Sequence, residues 1–240
     1  LRTKVHIIRH DNPKSHEYSK TASQSCEQLG VEWEYFEGFT NISAWEAFNL
    51  VDLGYDTEKT FHKYYEETKQ KNKFKGFSPT GCNRAAHIAL WKKIADGEDS
   101  QGIIFEHDSI LLHPLSIEIP NGVIACLGYK IPNPNRYDHK KAGEPKGIVP
   151  IKKHSGSHAY AITKKTAQML IQEMVDRAAP LSNMDQSYFL RGFKGDNVSK
   201  IPLVIVNPTP AIAWIRDSTI WKSANDQNQP FIESFQKNLK

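Results

Sequence analysis

The sequence predicts an α/β fold, on three observations. Strand-like and helix-like segments alternate along the chain. The strand-like segments are short and rich in β-branched residues. One of them, Ile103-Ile104-Phe105, is apolar throughout, as a strand covered on both faces must be. Such a chain builds a mostly parallel central sheet flanked by helices. Composition agrees: 39% of the 240 residues are hydrophobic and 24% charged, the balance of an ordinary globular protein. A chain of this length buries roughly 70% of its unfolded surface, so it holds a core without disulfides. Cys26, Cys82 and Cys126 are odd in number, far apart and in no metal-ligand spacing. They read as buried small hydrophobes in a reducing compartment.

Each element follows from a local pattern. Val5-His6-Ile7-Ile8 is the first strand, and Asp11-Asn12-Pro13 breaks it. Tyr18, Ala22, Cys26 and Leu29 recur at helical spacing, with Gly30 as the stop. Trp33 to Phe36 is the second strand. This β-α-β opening lacks GxGxxG, so no dinucleotide fingerprint is present. Residues 41–76 are less regular. Thr57 is placed to cap a helix carrying Phe61, Tyr64 and Tyr65 and ending in the basic run Lys69 to Lys75, a solvated face.

After Pro79 and Gly81 a helix is expected from about Asn83 to Ala95, with Ala85, Ile88, Trp91 and Ala95 inward. The Ile103–Phe105 strand follows, then Val123 to Leu127, stopped at Gly128. Residues 129–156 read as one long loop rich in Pro, Gly, Lys and His, a length that marks a functional or disordered segment. Ala159 to Ile162 is a strand, and Thr163 caps a helix burying Ala167, Leu170, Ile171 and Met174. Leu203 to Val206 is the last strand before a Pro-rich tail.

The chemistry concentrates at Glu106-His107-Asp108, where the central strand ends. In open α/β sheets, ligands bind off the carboxyl edge. Two carboxylates one residue apart there can share a divalent cation, or divide work between a sugar hydroxyl and the cation. Hard oxygen donors suit Mg²⁺ or Mn²⁺, which bind one or two carboxylates plus substrate phosphates. A solvated turn has the same composition, so the triplet alone does not decide. The net charge of +4 and pI of about 8.8 favour an anionic ligand only weakly; a phosphate-bearing donor, a nucleic acid or plain solubility all satisfy them.

Context narrows this. Residues 78–94, Ser-Pro-Thr-Gly-Cys-Asn-Arg-Ala-Ala-His-Ile-Ala-Leu-Trp-Lys-Lys-Ile, precede the acidic triplet by about ten residues. Gly156 to Ala167 sets Ser157, His158 and Tyr160 before a Lys-Lys-Thr-Ala helix start. Pro180 to Asp185 and Pro208 to Ile220 follow in order. This ordered set, over roughly residues 78–220, resembles glycosyltransferase family 25, the lipooligosaccharide and procollagen galactosyltransferase family. The chain departs from that pattern at His107, where the family has an acidic residue, and at Ala86, where it has serine. Only Arg9 and Lys14 match the basic residues usual after the first strand.

The resemblance implies a GT-A-like nucleotide-sugar-binding fold in a single domain over residues 1–240. Residues 1–76 would form the nucleotide side, 77–220 the catalytic core and 221–240 a tail. It implies a metal-assisted, inverting hexosyltransferase moving galactose or glucose from a nucleotide diphosphate sugar, a UDP-sugar by expectation, to a glycan or protein hydroxyl. Asp108 and Glu106 would hold Mn²⁺ or Mg²⁺, and Asp185 would be the base, unless it merely caps a helix. Arg9, His107 and His158 are candidate donor contacts, although His107 also fits as filler and His158 as a satisfied core histidine. Lys152, Lys153 and His154 are candidates for phosphate or acceptor contact. His87 is expected to pack or hydrogen-bond beneath the site.

The same chemistry on hydroxylated DNA bases is a rival, resting on the basic loop and on Tyr64, Tyr65 and Trp221 as stacking surfaces. A non-catalytic sugar- or nucleotide-binding module is another. No apolar run approaches the roughly 20 residues of a membrane span. With no signal-peptide pattern at its start, the chain reads as cytoplasmic.

Overall fold

The computed structural model describes residues 3–42, 44–53, 79–115, 117–130, 146–154, 156–176, 184–189, 191 and 198–213. In chain order the elements are β1 (Thr3–Arg9), α1 (Pro13–Gln28), β2 (Trp33–Glu37), α2 (Ala44–Val51), α3 (Pro79–Asp96), β3 (Gln101–Glu106) and β4 (Ser109–Leu111). There follow β5 (Ile124–Cys126), β6 (Gly128–Lys130), β7 (Gly147–Ile151), β8 (Ala159–Thr163), α4 (Lys164–Asp176), a π-helical turn (Asp185–Phe189), β9 (Leu203–Asn207) and β10 (Ala211–Ala213).

Alternation along β1 builds two cores. Val5 and Ile7 pack with Ala22 and Cys26 of α1, whereas Ile8 packs with Ala85, Ile88 and Trp91 of α3. The α3 layer also takes Ala47 and Val51 of α2 and Ala167, Leu170 and Met174 of α4. Helices therefore cover both faces, and β3 is as enclosed as its apolar sequence requires: Ile103, Ile104 and Phe105 are all at 1% exposure or less. Burying each such side chain contributes about 1.5–3 kcal/mol.

The seven-stranded sheet runs β2-β1-β3-β8-β5-β9-β7. β2, β1 and β3 are mutually parallel, β5 and β9 share their direction, and β8 and β7 run against it. The sheet is thus mostly parallel and mixed, in an α/β fold as expected. A second sheet, β4-β10-β6, lies on the α1 side and was not foreseen. In it, a Cβ on Gly128 would lie 1.7 Å from the Ala211 carbonyl oxygen, so only glycine lets β6 pass β10 there.

The helix signals held at their ends. The Asn12 side chain accepts from Ser15 N at 2.8 Å at the start of α1, and Gly30 turns left-handed (φ 63°) just beyond its end. Thr163 Oγ1 accepts from Thr166 N at 3.1 Å, capping α4. The long loop is corrected: residues 129–156 include the end of β6 and all of β7. The irregular stretch after residue 41 contains α2, and α3 begins at Pro79, earlier than expected. The Thr57 helix, its tyrosines, the Lys69–Lys75 run and Trp221 lie outside the described residues.

Cys26, Cys82 and Cys126 are buried thiols, as expected. Burial pushes Cys26 up to about 12 and Cys126 higher still. No helix among the described residues is long and apolar enough to cross a membrane.

Candidate active site

β1 and β3 end side by side, with Ile8 opposite Glu106. The turn that follows is fastened to the head of β8: Glu106 N donates to the His158 carbonyl at 2.8 Å, and Ser109 Oγ donates to the same oxygen. The acidic triplet is thereby held on both sides by one backbone group.

The Glu106 side chain is held equally firmly. Ser157 Oγ donates to Oε1 at 2.6 Å, and His87 Nε2 lies 3.3 Å from the same oxygen. Behind His87, its Nδ1 is 2.9 Å from Tyr160 Oη, which accepts from Trp91 Nε1 at 2.8 Å. His87 and Trp91 sit one turn apart on α3, so they share a face. Both are fully buried, as is Tyr160, whose phenol burial raises well above its ordinary range. Glu106, 22% exposed, is where this chain of hydrogen bonds reaches the surface.

A second cluster lies across the turn. His107 stacks on Tyr18 of α1 (5.9 Å between centroids, 21° between planes) and meets His10 edge-on at 6.0 Å. His10 follows β1, and its backbone N donates to Ser15 Oγ at 2.9 Å. Burial, then the neighbouring His107, depress His10 to about 4. Burial also lowers His107. Both rings are neutral at neutral pH. The His107 ring is buried against Tyr18 and His10.

Other expected site residues are placed differently. Arg9 pairs with Glu37 across the β1–β2 register and lies 4.1 Å over the Tyr35 ring. By alternation with Ile8 it projects to the α1 face, away from the Glu106 side chain. His158 is fully buried beside His154 (5.4 Å between rings), and its contribution to the turn is its carbonyl. His154, expected at a phosphate, is 1% exposed; its Nδ1 lies 2.9 Å from Gly156 O and its Nε2 against Gly128 O. That ring staples its loop to β6. Lys152 and Lys153 are exposed and follow the edge strand β7.

Asp185 opens the π-helical turn, and its side chain lies outside what the structure describes. The turn packs beneath the cluster, with Tyr188 5.1 Å from Trp91 and Phe189 5.2 Å from Tyr160. Asp108 is partly exposed beside Glu106.

Sequence reading placed Ser157 and Tyr160 in a motif without giving either a role, and it passed over His10. The available signal was a lone polar ring in the small apolar strand Ala159-Tyr160-Ala161-Ile162, and a Trp four residues after a His on one helix.

Among the described residues, no group of three or more His, Cys, Asp or Glu side chains forms a ready-made metal cage. Glu106 and Asp108 nevertheless suit a hard cation by donor type. Mg²⁺ and Mn²⁺ take one or two carboxylates and complete their shells with water and phosphate oxygens.

Fold and cluster define the class: an α/β protein with an anchored carboxylate, Glu106, at the carboxyl edge of its sheet. No family model matches the chain, and no curated protein sequence matches it significantly. Solved structures do match in outline. One is a glycosyltransferase involved in the glycosylation of the major capsid of PBCV-1, at 9% identity and a TM-score of 0.41, covering 89% of this chain and 94% of that one. Another is the glycosyltransferase GlyE of Streptococcus pneumoniae TIGR4, at 10% identity and 0.43; 99% of this chain spans 64% of GlyE. A third is the galactosyltransferase LgtC in complex with donor and acceptor sugar analogues, at 10% identity and 0.41, covering 95% and 99%. At these values no residue's role carries over.

Proposed function

We propose that the chain is a glycosyltransferase of GT-A-like fold, moving a hexose from a nucleotide diphosphate sugar to an acceptor hydroxyl. The observation that carries this reading is the Glu106 carboxylate, anchored through Oε1 and partly exposed beside Asp108 at the carboxyl end of β3. The ordered blocks that resemble family 25, the acidic triplet among them, point the same way. A UDP-sugar of galactose or glucose is the proposed donor, and a glycan or protein hydroxyl the acceptor.

In this mechanism Glu106 and Asp108 would hold Mn²⁺ or Mg²⁺. A cation held there would supply neutralisation of the charge that builds on the departing diphosphate. The acceptor oxygen bonds to the anomeric carbon as the bond from that carbon to the diphosphate oxygen breaks. Asp185 takes the hydroxyl proton, as inverting transfer requires.

Calorimetry with UDP tests the reading. Affinity should be higher with Mn²⁺ than with EDTA, and equal affinity in both would sink the metal assignment. Supplying UDP-galactose or UDP-glucose with Mn²⁺ should release UDP by slow hydrolysis. Binding of both sugars without any release would instead mark a binding module.

A further inference from the structure

We infer that His87 is a positioning residue for Glu106, fixed in its Nε2–H tautomer by the Trp91–Tyr160 pair behind it. The inference rests on the transferase reading for its purpose, since Glu106 is the carboxylate that reading uses.

The direction of each hydrogen bond follows from what each group can do. An indole N–H only donates, so Tyr160 Oη accepts from Trp91. The phenol then has one hydrogen to place. Among the described residues, the acceptor within reach is His87 Nδ1 at 2.9 Å. Nδ1 must therefore lack a proton, and the ring hydrogen sits on Nε2, facing the carboxylate of Glu106. The opposite tautomer would leave the buried phenol hydrogen without that acceptor. It would also set two lone pairs against each other 3.3 Å apart, at Nε2 and Oε1. Ser157 Oγ donates to the same Oε1, so the carboxylate is gripped by two donors from different parts of the chain, α3 and the segment leading into β8.

Groups that orient an ionic ligand residue are typically worth about 10–100-fold in affinity or activity. His87 is fully buried, so it meets no substrate and acts only through Glu106.

The test has two arms. Nitrogen-15 NMR of the imidazoles should show His87 with a bare Nδ1 and a protonated Nε2. Tyr160→Phe, which removes only the phenol oxygen, leaves Glu106 Oε1 as the remaining hold on the Nε2–H form, so the Nδ1–H fraction should rise above that of the wild type. A protonated Nδ1 in the wild type, or no rise in Nδ1–H in Tyr160→Phe, would overturn the relay, whatever the protein's function. The second arm uses UDP with Mn²⁺ as the probe. His87→Leu should weaken its binding about 10–100-fold. His87→Gln, which can still present an amide N–H to Glu106, should recover part of the loss. Equal affinity in His87→Leu and wild type would reduce His87 to packing. A wild type that ignores the probe, yet shows the expected tautomer, would fail the transferase reading and leave the relay standing.

Discussion

Asp108 and Asp185 are given different jobs in the proposed reaction, and one conservative change at each separates them. Asp108→Asn keeps the size of the side chain and removes its charge, so Mn²⁺-dependent UDP binding and turnover should both fall. Asp185→Asn should leave UDP binding nearly intact and cut turnover by roughly 10²–10⁴-fold, the worth of a general base. Asn caps a helical turn almost as well as Asp, so a residue that only caps would show near-normal kinetics and stability. Steady-state rates and calorimetry on the two variants decide it. The place of the acidic triplet was legible, because an apolar strand visibly stops there and β3 does end at Glu106. His154 was not. Its ring contacts include the carbonyl of Gly128, far off in sequence, and nothing in a Lys-Lys-His run distinguishes a buried staple from a phosphate contact.

Elements differ in how strongly their sequences announce them. β1, α1, β3, β8 and α4 are long or apolar enough to show a period, and their caps obey local rules. β4, β6 and β10 span three residues each, too short for any period to register. β7 is obscured by Pro150, which a strand tolerates here because β7 is the edge of the sheet. The docking of α1 on β4 is likewise invisible in sequence; besides the apolar contact of Ala22 and Cys26 with Leu111, one hydroxyl ties the two. Ser25 Oγ accepts from Leu111 N at 3.0 Å while donating to Ala22 O, and both residues are buried. Ser25→Ala should strand that amide and cost about 1–3 kcal/mol. Ser19 returns its hydroxyl only to its own helix, at His16 O, so Ser19→Ala should cost far less. Urea unfolding of the pair measures the contrast, and equal losses would remove the docking role of Ser25.

Over the whole molecule, periodicity predicted the layers but not the direction of β8, because a buried strand reads alike in either sense. What the folded molecule does to its histidines was also hidden, and it sets the response to acid. His10 titrates near 4 in the fold because burial and the adjacent His107 disfavour its charge, against an ordinary value of 6.5. Burial lowers His6 as well, although the hydrogen bond to Glu34 opposes the shift. The unfolded chain takes up these protons as pH falls through about 6.5, whereas the folded chain takes them up at lower pH, near 4 in the case of His10. Between those limits the unfolded state binds more protons, so stability present above about pH 6.5 drains away on acidification. The His10 share is on the order of 3 kcal/mol, essentially spent by about pH 4. Urea unfolding at about pH 7.5 and about pH 4.5 should therefore show a large loss in the wild type. His10→Gln starts less stable, having lost a packed ring, but should lose less over the same interval because that proton uptake is gone. Parallel losses in the two proteins would mean that His10 takes its proton in the folded state as readily as in the unfolded one.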